Sequence, residues 1–455
     1  MREVSLAEML DARDRRAQAQ RQLLEAYGLP LLSFTMNIPG PVKDSPLIRR
    51  GFAEGLRRLD GALSAAGIET RSRHVVHAVT GSESLCAVQA EAPTLKAICT
   101  GIEDASPMGR LFDMDVIGPE GQKLARGEER RCLVCGAAGR GCASRRLHSL
   151  EELSAAVTGL LREGLLAADG ERIDALATRA LLDEVETSPK PGLVDRNNSG
   201  SHRDMTPATF ARSAAALQDF WQSCFLTGVK TAGLPAEEVF SRLRELGLEA
   251  EDRMFSATGG VNTHKGAIFT LGTVCAAIGR LWQPEAPCRD PRRIAETCAE
   301  LSRAAVSADF AALDRGGTPK TAGERLYLSR GLRGIRGELA AGLPAVMQTG
   351  LPHLESGLAH GLSRNDAGVL ALLHLIARGE DSNMLKRGGP ALAAQAVSRV
   401  RDLLTETPFP SEEAVRELDA AFIRQDLSPG GCADLLAVSY FLHAWQQDGE
   451  EVPGC

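Results

Sequence analysis

Aromatic side chains are scarce: Phe, Trp and Tyr make up 4% of the 455 residues, with three Trp and three Tyr. The interior must therefore be built mainly from Leu, Ala and Val. No stretch of about 18 uncharged apolar residues occurs, so no transmembrane helix is expected. The opening residues, MREVSLAEMLDARDRRAQAQ, are charged and lack the apolar core of a secretory signal. There is no excess of positive charge either. Lys and Arg number 52 against 59 Asp and Glu, a net charge of −7, so no global field exists to hold nucleic acid or an anionic membrane, and neither is expected as a partner. The eleven cysteines are odd in number and mostly scattered. That pattern argues against a disulfide framework and for reduced thiols in a cytoplasmic protein.

What is present divides in two. The length favours two or three domains. Residues 5–27 have amphipathic helical spacing, ended by Gly28 and Pro30, and LLSFTMNIPG (31–40) reads as a strand entering a turn. Helix returns over 46–66. HVVHAVTGSESLCAVQA (74–90) reads as two strands broken at Gly81, and GRLFDMDVIGPEG (109–121) as a third strong strand. After Leu147 the chain becomes Ala/Leu-rich with helical spacing over 149–185, and Thr206-Pro207 marks a helix start. HKGAIFTLGTVCAAIGRLW (264–282) is apolar all round, as a buried helix would be. Further helices are expected over 292–313, 366–378, 390–405, 412–424 and 432–446. The expected architecture is multidomain: an N-terminal α+β domain and a C-terminal all-α domain, with the change of character at 150–172.

LFDMDV places Asp113 and Asp115 two apart on a strand, so both carboxylates share a face while Phe112, Met114 and Val116 take the other. Such a pair can seat Mg²⁺, which takes hard oxygen ligands and substrate phosphates, and nucleotidyl transfer uses this arrangement. An edge strand with a polar outer face would look the same. The next stretch, 121–148, carries seven Lys/Arg against two Glu, suited to phosphates, to an acidic protein partner or to plain solvation. Within it Cys132, Cys135, Cys142 and His148 form C-x2-C-x6-C-x5-H, which suits Zn²⁺ or a group of buried thiols.

The helical part is interrupted by polar clusters. TSPKPGLVDRNNSGSHRDM (187–205) contains Lys190, Asp195, Asn198, His202 and Asp204; GGVNTHKGA (259–267) contains Asn262, His264 and Lys265 and enters a helix, where free amides favour an anion. RGEDSNMLKRGG (378–389) carries Asp381, Asn383, Lys386 and Arg387. Each alone reads as a connecting loop. Together, flanked by apolar helices, they point to one shared polar cleft. TAGERLYLSRGLRGIRGE (321–338) adds Glu324, Arg325, Arg333 and Arg336, and SPGGCADLLA (428–437) adds Asp434 near a helix start. No Walker A loop is present.

SFTMNIPGPVKDSPLI, GRLFDMDV and RRCLVCG…CASRRLHSLEEL resemble the apo-citrate lyase phosphoribosyl-dephospho-CoA transferase family, a resemblance assigned to residues 1–165. It implies a nucleotidyltransferase-like domain in which a serine of the citrate lyase acyl carrier subunit attacks a phosphorus of triphosphoribosyl-dephospho-CoA and pyrophosphate leaves. Asp113 and Asp115 would then be catalytic and hold Mg²⁺, with Lys43 and Arg110 on the substrate.

SPKPGLVDRNNSGSHRDM, GGVNTHKGAIFTLG, GERL…GIRGE, the Asn365-Asp366 pair, DSN…RGG and LSPGGCADLLA are similar to the triphosphoribosyl-dephospho-CoA synthase family, assigned to residues 170–455. It implies ATP and 3′-dephospho-CoA as substrates: the 2′-hydroxyl of dephospho-CoA attacks C1 of ATP's ribose and adenine leaves. Asp195 and Asp204 are then candidates for base or metal ligand, and His202 and His264 for acid or phosphate donor. Lys190, Lys265 and Arg387 are candidates for the triphosphate. Asn198, Asn262, Arg325, Arg336, Asn365, Asp366, Asp381 and Asn383 complete the expected nucleotide-binding set. The same chemistry serving malonate decarboxylase, and a zinc-stabilised module that only binds a carrier protein, are the alternatives weighed.

Overall fold

A computed structural model of the chain describes residues 2–127, 130–137 and 139–448. Glu128 and Glu129 of the basic stretch, and the last seven residues of the expected second domain, lie outside the described residues. Two compact units form, and their boundary falls between Asp169 and Gly170, inside a single helix.

In the first unit, helix α1 (Leu6–Tyr27) opens on a capping box: the Ser5 hydroxyl accepts from the Glu8 amide at 3.3 Å and the Glu8 carboxylate accepts from the Ser5 amide at 2.8 Å. It ends at Gly28, whose φ of 60° suits the left-handed cap. Strand β1 (Leu31–Met36), helix α2 (Pro46–Ala65), the hairpin β2 (Thr70–Ala78) and β3 (Gly81–Val88), helix α3 (Ala92–Asp104), a 3₁₀ turn (Pro107–Leu111), β4 (Phe112–Ile117) and a short α4 (Gly139–Arg145) follow. The sheet is antiparallel in the order β2-β3-β1-β4, which leaves β4 at an edge. Phe34 and Phe112 on one face pack at 5.5 Å edge-on, and Phe34 stacks on Phe52 of α2 at 4.8 Å. The other face packs Leu31, Leu85, Ala87 and Ile117 against Leu23 of α1.

The second unit is helical. Helix α5 (Leu150–Glu186) enters it, followed by α6 (Pro207–Ala216), α7 (Phe220–Lys230), α8 (Ala236–Thr258), α9 (Lys265–Arg280), α10 (Pro291–Asp314), α11 (Ala322–Arg330), α12 (Gly334–Ala340), a π turn (Val346–Gly350), α13 (Leu351–Ala359), α14 (Arg364–Ala377), α15 (Ser382–Glu406), α16 (Glu412–Arg424) and α17 (Gly430–Gln447). No strand occurs there among the described residues. With few rings to fill space, the helices approach closely on small residues. A Cβ at Gly228 of α7 would lie 2.0 Å from the Ala276 carbonyl oxygen, and one at Gly279 of α9 would lie 2.0 Å from that of Phe225. The two backbones are thus nearly in contact.

Several elements differ from expectation. Gly109–Leu111 belong to the 3₁₀ turn, not to the strand, since Pro107 starts a turn closed by the Gly109 amide on Ser106 at 3.0 Å. The 378–389 cluster is not a connecting loop. Asp381 caps a helix that begins at Ser382 and bends at Gly389 (φ 72°), just before Pro390, whose ring removes one amide donor. Helices α3, α4, α7, α8, α11, α12 and α13 are additions to the elements read from the sequence.

The close helix crossing makes an opposite pair of outcomes testable. Gly→Ala favours an isolated helix by about 1 kcal/mol. At Gly247, where an added Cβ meets only Ile268 at 3.9 Å, the substitution should raise the unfolding free energy by about that order. Gly279→Ala should instead lower it by ~1–3 kcal/mol, because a carbonyl oxygen must move. Urea unfolding of the two variants checks this, and equal effects would refute it.

Candidate active sites

β4 alternates as its pattern requires: Phe112, Met114 and Val116 are buried while Asp113 and Asp115 are partly exposed. Cross-strand pairing sets Thr35 beside Asp113 and Ser33 beside Asp115. Lys123 pairs with Asp115 at 2.5 Å, whereas the closest cation to Asp113 is Arg130 at 3.8 Å. Burial, then the negative charge of Asp115, raises the Asp113 carboxyl above the usual range. Two carboxylates on one strand face are a donor set that could hold a hard divalent cation such as Mg²⁺. The two carboxylates open on a cleft of about 350 Å³ that also takes in Lys96, Lys123, Arg126 and Arg130. Beneath it, Glu103 is 1% exposed; it accepts from the Met114 amide at 2.8 Å and pairs with both Arg126 and Arg130. One buried acid thereby fixes the strand and two guanidinium groups together. Beside this cleft the ligand atoms of Cys132, Cys135, Cys142 and His148 all lie within 4.8 Å of one another.

The helical unit contains a cavity of about 1010 Å³. The first turns of α9, α15 and α17 all line it, as do the ends of the 187–205 and 321–338 segments. Asp381 ties two of those helix starts. One of its oxygens accepts from the Asn383 and Met384 amides at 2.8 and 2.9 Å, and the other from the Cys432 amide at 2.9 Å. Asp434 reaches the third: it accepts from the Ala267 amide, and a Cβ at Gly266 would overlap it at 1.9 Å. Burial raises the carboxyls of Asp381 and Asp434, the latter further through Glu184 and Asp381. Cations share the cavity. Lys265 pairs with Glu251, Arg336 with Glu324 at 3.2 Å, and Arg387 with Asp426 at 2.7 Å. Arg333 lies 5.5 Å over the Phe310 ring, and no ion pair joins Lys386 among the described residues.

His264 is 3% exposed in this cavity. Thr263 donates to the Ser213 hydroxyl at 2.7 Å, and Ser213 bonds the His264 Nδ1 at 2.7 Å, so the proton of a neutral ring falls on Nε2. That Nε2 is buried with no hydrogen-bond partner. His202 binds Ser428 through Nε2 at 2.8 Å and faces Asp204 at 4.0 Å; burial, then the charge of Arg387, lowers its pKa.

Two families match these two units. The apo-citrate lyase phosphoribosyl-dephospho-CoA transferase family, CitX, matches residues 4–164, and the ATP:dephospho-CoA triphosphoribosyl transferase family, CitG, matches residues 170–452. The protein CitXG of Haemophilus influenzae is 35% identical over 96% of both chains. The chain is a CitX–CitG fusion. CitXG of Leuconostoc mesenteroides subsp. cremoris is 30% identical over 96% of this chain and 97% of its own. A probable 2-(5''-triphosphoribosyl)-3'-dephosphocoenzyme-A synthase of Citrobacter koseri is 44% identical over 59% of this chain and 88% of its own.

The CitG cavity gathers His202, Asp204, Asn262, His264, Lys265, Arg336, Asp381, Asn383 and Arg387 of the expected set. Others are held elsewhere. Lys190 is 1% exposed and its ammonium is spent on the Glu184 carboxylate and carbonyl, so it is a buried ion pair and not a free triphosphate ligand. Asp195 is fully buried and accepts from Ser188 Oγ, and from the amides of Lys190, Asn197 and Asn198, at 2.7–3.0 Å, bonds that shape the 187–205 loop. Asn198 donates to Asp419 at 2.8 Å and accepts from the Gly200 amide, and Asn365 clasps the Ser188 peptide from both sides at 2.9 and 2.7 Å. Asp366 closes a cap with Ser363, and Arg325 is exposed away from the cavity. In the CitX unit Lys43 donates to the Ile38 carbonyl and Arg110 lies near Arg126 and Arg130; neither lines the carboxylate cleft. Residues absent from the expected set are Lys96, Glu103, Glu184 and Asp419. Lys96 and Glu103 stand on a helix not read from the sequence, and Glu184 and Asp419 look like ordinary helix-surface acids until packing buries them.

His264 also sets a pH dependence. Burial, with Lys190 adding to it, holds its pKa down to about 3. An unfolded histidine takes up a proton near pH 6.5, so between about 6.5 and 3 the unfolded chain binds the extra proton. Stability therefore falls as pH falls through that window, by about 1.4 kcal/mol per pH unit. His264→Gln should remove that slope, leaving the similar contribution of His374, held down to about 4. Urea unfolding at several pH values between 6.5 and 4.5 measures the difference, and equal slopes would exclude a neutral buried His264.

Proposed function

We propose that the chain makes the prosthetic group of citrate lyase in the CitG unit and attaches it to the acyl carrier subunit in the CitX unit. In the first step the 2′-hydroxyl of 3′-dephospho-CoA attacks C1 of ATP's ribose. The bond to adenine breaks, adenine leaves, and the triphosphate stays on the sugar. That step needs cations that hold a triphosphate without cleaving it, and donors for the departing base. The observation that carries the reading is one cavity in which Arg333, Arg336, Lys386 and Arg387 accompany Asp204 and the partnerless Nε2 of His264. Lys386 and Arg333, which have no carboxylate partner among the described residues, hold the triphosphate. His264, neutral, donates a hydrogen bond from Nε2 to the leaving adenine, Asp204 beside His202 receives the hydroxyl proton, and the adenine takes its proton from solvent.

In the second step the carrier serine attacks a phosphorus of the intermediate, pyrophosphate leaves and a phosphodiester forms. The paired carboxylates on an edge strand support a nucleotidyltransferase-like reading of this unit. Mg²⁺ held by Asp113 and Asp115 would supply charge neutralisation on the phosphates. Lys96, Lys123 and Arg130 orient them from the rim of the same cleft. Exposed Arg131, Arg145 and Arg146 suit an acidic carrier surface. The full-length likeness to CitXG proteins favours citrate lyase over malonate decarboxylase, and the cationic cavity supports an active synthase unit over a mere carrier-binding module. The ten described cysteines are free thiols, which supports a cytoplasmic setting; no described helix is long and apolar enough to cross a membrane.

Mass spectrometry of the carrier subunit after incubation with ATP, dephospho-CoA and the protein tests the assignment: the carrier should gain the phosphoribosyl-dephospho-CoA mass, and an unmodified carrier despite released adenine would sink the second step. Asp113→Asn and Asp115→Asn should each abolish that gain and leave adenine release intact. Lys386→Ala and Arg333→Ala should raise the KM for ATP by ~10-fold or more with little change of melting temperature, as loss of a charge-assisted contact implies. Parallel losses of stability and activity would assign these cations to the fold.

A further inference from the structure

We infer that Cys132, Cys135, Cys142 and His148 form a zinc site that closes the segment carrying Arg130. The four ligand atoms come from a turn, from helix α4 and from the chain beyond it, yet all lie within 4.8 Å of one another. Tetrahedral zinc with three sulfur ligands at ~2.3 Å sets sulfurs about 3.8 Å apart. The Cys135 and Cys142 sulfurs stand 3.4 Å apart, close to that spacing and far beyond a disulfide bond. The Nε2 of His148 is buried and has no hydrogen-bond partner, a polar atom that a metal would satisfy.

The backbone around the ligands has the form such a site requires. The Cys132 amide donates to the Ala137 carbonyl at 2.7 Å, and the Gly136 amide to the Cys132 carbonyl at 3.2 Å, which makes a tight turn around the first two sulfurs. Gly136 takes φ 71°, a conformation that glycine adopts without strain. The amides of Cys135 and Val134 are directed at the Cys132 sulfur, as donors to a metal-bound thiolate are. Past α4, Arg146 adopts φ 48° and the Leu147 amide returns to the Cys142 carbonyl at 3.2 Å, which turns the chain so that His148 faces the three thiols. Three thiolates and one imidazole are a closed, soft donor set that suits structural zinc and not Mg²⁺ or Ca²⁺.

The same turn is tied to the transferase cleft. The Gly139 amide donates to the Arg130 carbonyl at 3.1 Å, and the Arg130 guanidinium reaches Glu103 and, at 3.8 Å, Asp113. Closing the site therefore holds Arg130 at the carboxylates. This consequence rests on the transferase reading above; the metal site itself does not.

The test uses the untagged full-length chain, prepared without chelator. Elemental analysis should find one zinc per chain, and cobalt exchange should give the intense visible bands of a tetrahedral thiolate site. Cys135→Ser should lose most of the metal, while His148→Cys, which keeps four soft ligands, should retain it. Adenine release reports the fold of the helical unit, and far-ultraviolet circular dichroism of each variant reports the fold of the whole chain. A chain active in adenine release that binds neither zinc nor cobalt would overturn the site, and so would a Cys135–Cys142 disulfide found in protein prepared under reducing conditions. For the positioning role, removal of zinc in excess Mg²⁺ should raise the KM of the transfer step for the triphosphoribosyl intermediate by ~10-fold or more, with kcat changed less, and zinc alone should restore it. An unchanged KM after zinc loss would confine the metal to folding and overturn that role.

Discussion

The cavity of the helical unit depends on a buried carboxylate shared between two helix starts. Asp381 takes amide hydrogens from the first turn of α15 and from Cys432 of α17, segments about fifty residues apart in sequence. Helix starts carry unpaired donors and a partial positive charge, so they repel one another unless an acid lies between them. Asp434 does the same for α9. With these acids in place, three first turns can face a single space, and a strongly anionic substrate meets a ready electrostatic environment. Burial raises both carboxyls above their usual range, and arginines and lysines stand at the edge of the same cavity.

A second buried acid governs the loop that leads into the cavity. Asp419 accepts from the Gly192 amide at 2.9 Å and from Asn198 at 2.8 Å, and Asp195 supplies the internal bonds of the same loop. The polar string SPKPGLVDRNNSGSH is thus largely spent on its own architecture. Of the string, only Leu193, Val194 and His202 line the cavity, with Asp204 and Met205 just beyond it. A loop so rich in polar groups can be buried only when each finds a partner, and this explains why so many of its residues are structural.

The first unit uses the same device in a sheet. Glu103 lies under β4 and binds both the strand and two arginines. The edge position of β4 leaves Asp113 and Asp115 accessible on one face while aromatic and aliphatic side chains hold the other. An edge strand normally invites unwanted pairing, and charged residues with a following basic segment blunt that tendency while furnishing the cleft.

The division into an α+β unit and a helical unit, most helices, the alternation of β4 and the membership of both families could all be read from local pattern and motif. Period-two and helical spacing are properties of neighbouring residues, and long motif strings need no third dimension. Among the helices that escaped, α3, α7 and α8 open without a side-chain cap, and the start of α15 was masked by a string of polar residues that resembles a loop. What the tertiary structure decided was the use of each polar residue. Lys190, Asp195, Asn198 and Asn365 have the composition of a site and are bonded into the scaffold, whereas Glu184, Lys96 and Glu103 have the look of ordinary helix residues and line or support the sites. The reason is physical: Asn198 and Asn365 are committed by partners 221 and 177 residues away, and Lys190 and Asp195 by near neighbours with which the fold buries them, and neither burial nor distant pairing leaves a trace in local sequence.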